Sequence, residues 1–117
     1  MRNKYSTFNQ KRYERFANTF EECGTFLINA DDDIIKGSIF EDFDIDVRCH
    51  LSDSELQFFM DSCMIYEDIR KKCVQLRNKA VEVFENNELR SVNAVRTSKA
   101  WREILELSDE IRSMLYY

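Results

Sequence analysis

Carboxylates are the reactive groups that this 117-residue chain concentrates. Asp31, Asp32 and Asp33 are consecutive, Asp42, Asp44 and Asp46 alternate, and Asp53 and Glu55 follow closely. Such a set could bind calcium, act as paired acids and bases, or present fixed negative charge. A calcium loop of the EF-hand type needs acidic ligands at its first, third and fifth positions, Gly at the sixth and Glu at the twelfth. Counted from Asp42, the first three are satisfied, but Val47 and Asp53 occupy the last two. Counted from Asn29, Ile34 and Phe40 stand there instead. Without the Gly that permits the turn, neither register makes a calcium loop. Paired acid–base catalysis needs two carboxyls held in a shielded place, and nothing in the sequence marks such a pair.

His50 is the single histidine and follows Cys49. A Cys–His nucleophile needs the two side chains to face each other, whereas neighbours on a strand point to opposite faces. Cys23, Cys49, Cys63 and Cys73 match no zinc spacing, and burial as small apolar side chains is the expected role. There is no Gly-rich phosphate cradle. The sequence therefore points to no catalytic residue, no metal and no cofactor, and to a protein that is not an enzyme.

What remains is surface charge, and its distribution is uneven. Residues 1–20 carry five basic and one acidic side chain, residues 21–68 two basic and fourteen acidic, and residues 69–117 ten basic and seven acidic. An acidic face centred on the middle third follows. In Phe43–Cys49, Phe43, Ile45, Val47 and Cys49 alternate with Asp44, Asp46 and Arg48, the period of a half-buried strand. Alternate strand residues lie about 6.6–6.8 Å apart, so Asp42, Asp44 and Asp46 would form a regular negative row. Asp31, Asp32, Asp33, Asp53 and Glu55 would flank it.

The elements positioning that row are expected to be mostly helical. Two Gly and no Pro leave few sharp turns. Thr7 with Gln10 resembles a capping box, and Tyr13, Phe16, Ala17, Phe20 and Cys23 share a helical face, so a first helix is expected over about 7–23. Gly24 suits the left-handed position after a helix end. Thr25–Asn29, Ile34–Lys36 and Phe43–Cys49, separated by Asp31–Asp33 and Gly37-Ser38, suggest a small antiparallel hairpin or meander. Ser52 with Glu55 caps a central helix expected to run to Asn86. Its seam is Leu56, Phe59, Cys63, Tyr66, Ile69, Cys73, Leu76, Ala80 and Val83. About 35 residues would span about 52 Å, too long for a compact monomer of this size. The helix must break, protrude or lie along a partner. Trp101, Ile104, Ser108, Ile111 and Leu115 mark a last helix, forming an αα-hairpin with the central one. The expected class is α+β, mainly α, in a single domain over 1–117.

No apolar run approaches the length that spans a bilayer, and the N-terminus lacks a signal-peptide core, so a cytoplasmic protein is expected. In size and charge alone the chain resembles the small acidic inhibitors of phages and mobile elements, among them anti-CRISPR, anti-restriction and toxin-immunity proteins. That resemblance rests on no motif. It implies a non-enzymatic binding protein that blocks a basic nucleic-acid-binding or active site of a partner protein, through Asp31, Asp32, Asp33, Asp42, Asp44, Asp46, Asp53 and Glu55. Direct nucleic-acid binding and membrane association are not expected from it. The alternatives are a nucleic-acid-associated regulator using basic N- and C-terminal helices, and a self-associating helical adaptor; two αα-hairpins facing each other, burying the central seam and the apolar residues of the last helix that end in Met114-Leu-Tyr-Tyr117, would form a two-fold homodimer.

Overall fold

The computed structural model describes residues 5–115, with side chains from Phe8 onward. Six helices account for its regular structure, and no strand occurs among the described residues. Helix α1 spans Tyr5–Thr19. A 3₁₀ turn at Thr25–Asn29 leads to α2, which runs over 32–50. Helix α3 spans Asp53–Asp61, α4 Glu67–Phe84, α5 Val92–Thr97 and α6 Lys99–Leu115. A second 3₁₀ turn, Asn87–Leu89, separates α4 from α5.

The expected β-hairpin is absent, and with it the α+β class: Phe43–Cys49 is helical. Alternation lost to a competing period. Ile35, Ile39, Phe43, Val47 and Leu51, all four residues apart, have no exposed surface. On a regular α-helix each such step overshoots a full turn by about 40°, so Ile35 and Leu51 would end about 160° apart. The stretch Lys36–Phe43 instead winds as a π-helix, and the Asp44 N–H bonds the carbonyl of Ile39, five residues back. Wider π turns undershoot where α turns overshoot, and the row stays on one face. Ile45, assigned to the inner face of the strand, is 62% exposed.

The central helix is broken at 62–66. Cys63 adopts a left-handed φ of 58°. Its N–H bonds the Met60 carbonyl at 3.0 Å, and the Met64 N–H bonds the Phe59 carbonyl at 2.9 Å. These two bonds form a Schellman stop with Cys at the position usually held by Gly. Of the expected seam, Leu56 and Phe59 are buried on one side of the break, and Ile69, Cys73, Leu76, Ala80 and Val83 on the other. Cys63 and Tyr66, at the break itself, are exposed. The Ser52 cap is present, its Oγ accepting from the Glu55 N–H at 3.2 Å.

Helix α6 lies antiparallel along α4: Lys72 pairs with Glu110 at 2.9 Å and Lys79 with Glu103 at 3.4 Å. This pairing covers the α4 seam within the chain. Trp101 is fully buried between Phe84 and Phe40, with ring centroids 5.5 and 6.2 Å away, and its Nε1–H donates to the Leu89 carbonyl at 2.8 Å. Phe59 packs on Phe16, 4.8 Å between ring centroids, and edge-on to Tyr13. The molecule measures 48 × 24 × 23 Å along its principal axes.

Helix α1 is described from Tyr5, earlier than expected, and ends at Thr19; the side chain of Thr7 lies outside the described residues. Gly24 is not left-handed but extended, with φ 178°. Its lack of a side chain serves close approach, because a Cβ there would stand 2.5 Å from Oδ1 of Asp109. Asp109 accepts from the Thr25 hydroxyl at 2.6 Å and from Arg112 at 2.6 Å, while Arg112 donates to the Phe20 carbonyl at 2.6 Å. Helix α6 thus fastens the turn after α1.

Candidate acidic face

Because α2 is a helix, its aspartates do not form a straight row. Asp42 and Asp46 are neighbours one turn apart, and Asp44 points about 200° away from either. Asp44 is held by Arg48 at 3.1 Å and by Arg90 at 3.4 Å. The Arg90 guanidinium also donates to the Phe84 carbonyl at 3.2 Å and lies 5.5 Å from the Phe40 ring centroid. Asp46 lies 3.7 Å from Nε2 of His50, one turn on.

The flanking acids divide similarly. Asp32 pairs with Arg96 of α5 at 2.7 Å, and Arg96 also donates to the Ala30 carbonyl at 2.6 Å. Asp53 pairs with Arg77 of α4 at 2.7 Å, and Arg77 donates to the Leu51 carbonyl at 3.0 Å. Glu55 binds Arg12 of α1, whose guanidinium stacks 3.7 Å above the Phe58 ring. These pairs lie at the surface with most members only partly exposed, and surface ion pairs typically contribute about 0–1 kcal/mol. Their larger effect is local neutrality: five of the eight expected acids face a cationic partner or His50 in the same chain. Asp31, Asp33 and Asp42 are exposed and form no ion pair among the described residues, and Glu41 joins them. Two large apolar side chains are exposed on the same helix, Ile34 at 52% and Ile45 at 62%.

One acid that sequence reasoning passed over sits beside this face. Glu22, in the turn after α1, is half-buried, and its Oε1 is shut off from solvent without a hydrogen-bond donor among the described residues. Burial pushes its carboxyl up to about 9, and the carboxylates of Asp46 and Asp42 add to the rise. Nothing in the sequence separates Glu22 from its neighbour Glu21. The Ser38 hydroxyl ties this turn to α2, donating to the Glu22 carbonyl at 2.7 Å.

The other reactive groups lie apart. Cys49 and His50 are about 100° apart on α2, so they do not face each other, and His50 turns to Asp46. All four cysteines are free; Cys23 and Cys73 are buried, while Cys49 and Cys63 are exposed, against the expectation that all would be interior. Burial raises the Cys23 thiol and pushes that of Cys73 up to about 12. No cluster of three or more metal-ligating side chains occurs among the described residues, and no described helix is long and apolar enough to cross a membrane. A 470 Å³ hollow bordered by Tyr13, Met64, Tyr66, Ile69, Met114 and Leu115 lies by the break between α3 and α4 and has one carboxylate, Asp68, at its edge. No family model matches the chain, and no curated protein or solved structure is significantly similar to it.

Proposed function

We propose that this is a small non-enzymatic binding protein that applies the acidic face of α2 to a basic surface on a partner protein, as an inhibitor or immunity protein of the phage and mobile-element type would. The observation that carries this reading is where the unneutralised charge lies. Cations of α4, α5 and α6, among them Lys72, Arg77, Lys79, Arg96 and Arg112, are engaged by carboxylates of the same chain. Asp31, Asp33, Glu41 and Asp42 are left facing solvent. Exposed Ile34 and Ile45 add apolar area, which a protein partner uses and a solubilising surface does not need. Four unpaired cysteines suit a reducing compartment, and we place the protein in the cytoplasm.

The rival readings have less to stand on. A nucleic-acid regulator needs a continuous basic surface, and the exposed cations Lys11 and Arg15 are interleaved with Glu14. For a self-associating adaptor, the α4 seam is already covered within the chain by α6, which leaves less apolar surface for a second copy. Titration with duplex DNA at low salt separates the first two classes. No binding is expected. Binding whose affinity falls steeply as salt rises would replace the acidic-face reading with the regulator.

A further inference from the structure

The break between α3 and α4 shapes a part of the surface that the acidic face does not use. Tyr13 of α1, Met64 and Tyr66 of the break, and Met114 and Leu115 at the end of α6 border the 470 Å³ hollow there, and no residue of α2 does. That volume lies within the range of small-molecule sites, about 300–1,000 Å³. The left-handed turn at Cys63, φ 58°, ends α3 and redirects the chain, so that Met64 and Tyr66 come to the hollow. Backbone strain of this kind gathers at functional sites. The walls are apolar and in part anchored. The Tyr13 ring stands 5.5 Å from that of Phe16 and edge-on to Phe59 at 5.7 Å, and the Met64 N–H bonds the Phe59 carbonyl at 2.9 Å. Tyr66 is 65% exposed, which leaves its ring open to a ligand.

Charge at the hollow has one sign. Asp68 is its single charged border residue, is exposed, and forms no ion pair among the described residues. The cations nearest in sequence are occupied or turned elsewhere. Arg70 pairs with Glu67 at 2.5 Å and Lys72 with Glu110 at 2.9 Å, while Lys71 does not border the hollow. Oδ1 of Asp68 accepts from the Ile69 N–H at 2.8 Å, and Oδ2 remains for a ligand. The start of α4 carries about half a positive charge. A full negative charge on Asp68 exceeds it, so the rim stays negative.

We propose that this hollow is a binding site for a small organic cation, an ammonium group on an apolar or aromatic body. The ammonium group meets Asp68 and the face of the Tyr66 ring, and the body lies against Met64, Met114 and Leu115. An anion meets Asp68 with no cation to offset it, and a neutral body gains only the apolar contacts. The site is separate from the acidic face of α2 and does not rest on that reading.

Amide NMR of the full chain, titrated with phenethylammonium, phenethyl alcohol or phenylacetate, tests the assignment, because the three share an aromatic body and differ in charge. The expected result is saturable shifts from phenethylammonium at Met64, Tyr66, Ile69 and Leu115. Its affinity should exceed that of the alcohol by about fivefold, with no binding of phenylacetate. Asp68→Asn keeps an acceptor for the Ile69 N–H and should bring the cation down to the affinity of the alcohol. Tyr66→Leu keeps apolar area without the ring face and should weaken the cation more than the alcohol. Equal affinity for cation and alcohol in the wild-type chain would overturn the site. So would an Asp68→Asn titration that leaves the cation's affinity unchanged, or cation-induced shifts confined to α2.

Discussion

Phe59 shows how much of the core rests on single side chains. It has no exposed surface and packs against Phe16 and Tyr13 of α1 and Phe58 of its own helix, so α1 and α3 meet on one ring. Truncation to Ala leaves a cavity that aromatic neighbours, themselves fixed edge-on or tilted, cannot collapse to fill. Phe59→Ala is expected to cost about 3–5 kcal/mol in a denaturant melt. A loss below about 1 kcal/mol would place Phe59 at the surface. At the same scale, charge is organised by reach. Arg12, Arg77, Arg90 and Arg96 each engage a carboxylate of another element, and Arg77, Arg90 and Arg96 also donate to a backbone carbonyl.

At the scale of elements, the break between α3 and α4 decides the outline of the molecule. Its signal is a left-handed Cys63, a conformation that costs an L-residue about 1–2 kcal/mol and a glycine almost nothing. Cys63→Gly therefore has opposite consequences in the two possible structures. With the break it relieves strain and should raise stability by up to about 1 kcal/mol, less the extra chain entropy of Gly. In a continuous helix the same change would cost about 1 kcal/mol. A thermal melt of Cys63→Gly beside Cys63→Ala reads the sign. The sequence carries the cap at Ser52 and the buried row Ile69, Cys73, Leu76, Ala80 and Val83, because both depend on neighbours within one helix. It does not carry the stop at Cys63, since neither Gly nor Pro marks it. Phe43–Cys49 misled for a related reason. Seven alternating residues fit a strand, while the four-residue spacing of Ile35, Ile39, Phe43, Val47 and Leu51 becomes visible only over seventeen residues and fits no regular α-helix. The influence of Asp42 and Asp46 on Glu22 arises with residues 32–50 helical, so an alternating pattern carries no trace of it.

The whole molecule is an elongated helical body of 48 × 24 × 23 Å that pairs most of its described cations internally and leaves unpaired acid on α2, with a second group at the end of α4. Long-range attraction from such a surface speeds encounter with a basic partner and weakens as salt rises. Net charge alone would also give a general, unspecific attraction, and the two must be separated. Glu82, Glu85 and Glu88 provide the control, being exposed and free of ion pairs among the described residues, at the end of α4 and the turn beyond it. Two variants remove equal charge: Asp33→Asn, Glu41→Gln, Asp42→Asn together, and Glu82→Gln, Glu85→Gln, Glu88→Gln together. The decisive measurement is quantitative affinity capture of the same partner by the wild-type chain and by each variant at one ionic strength. The acidic-face reading predicts that the α2 variant loses the partner while the α4 variant keeps it. Equal retention by both variants, or equal loss from both, would contradict a working face on α2.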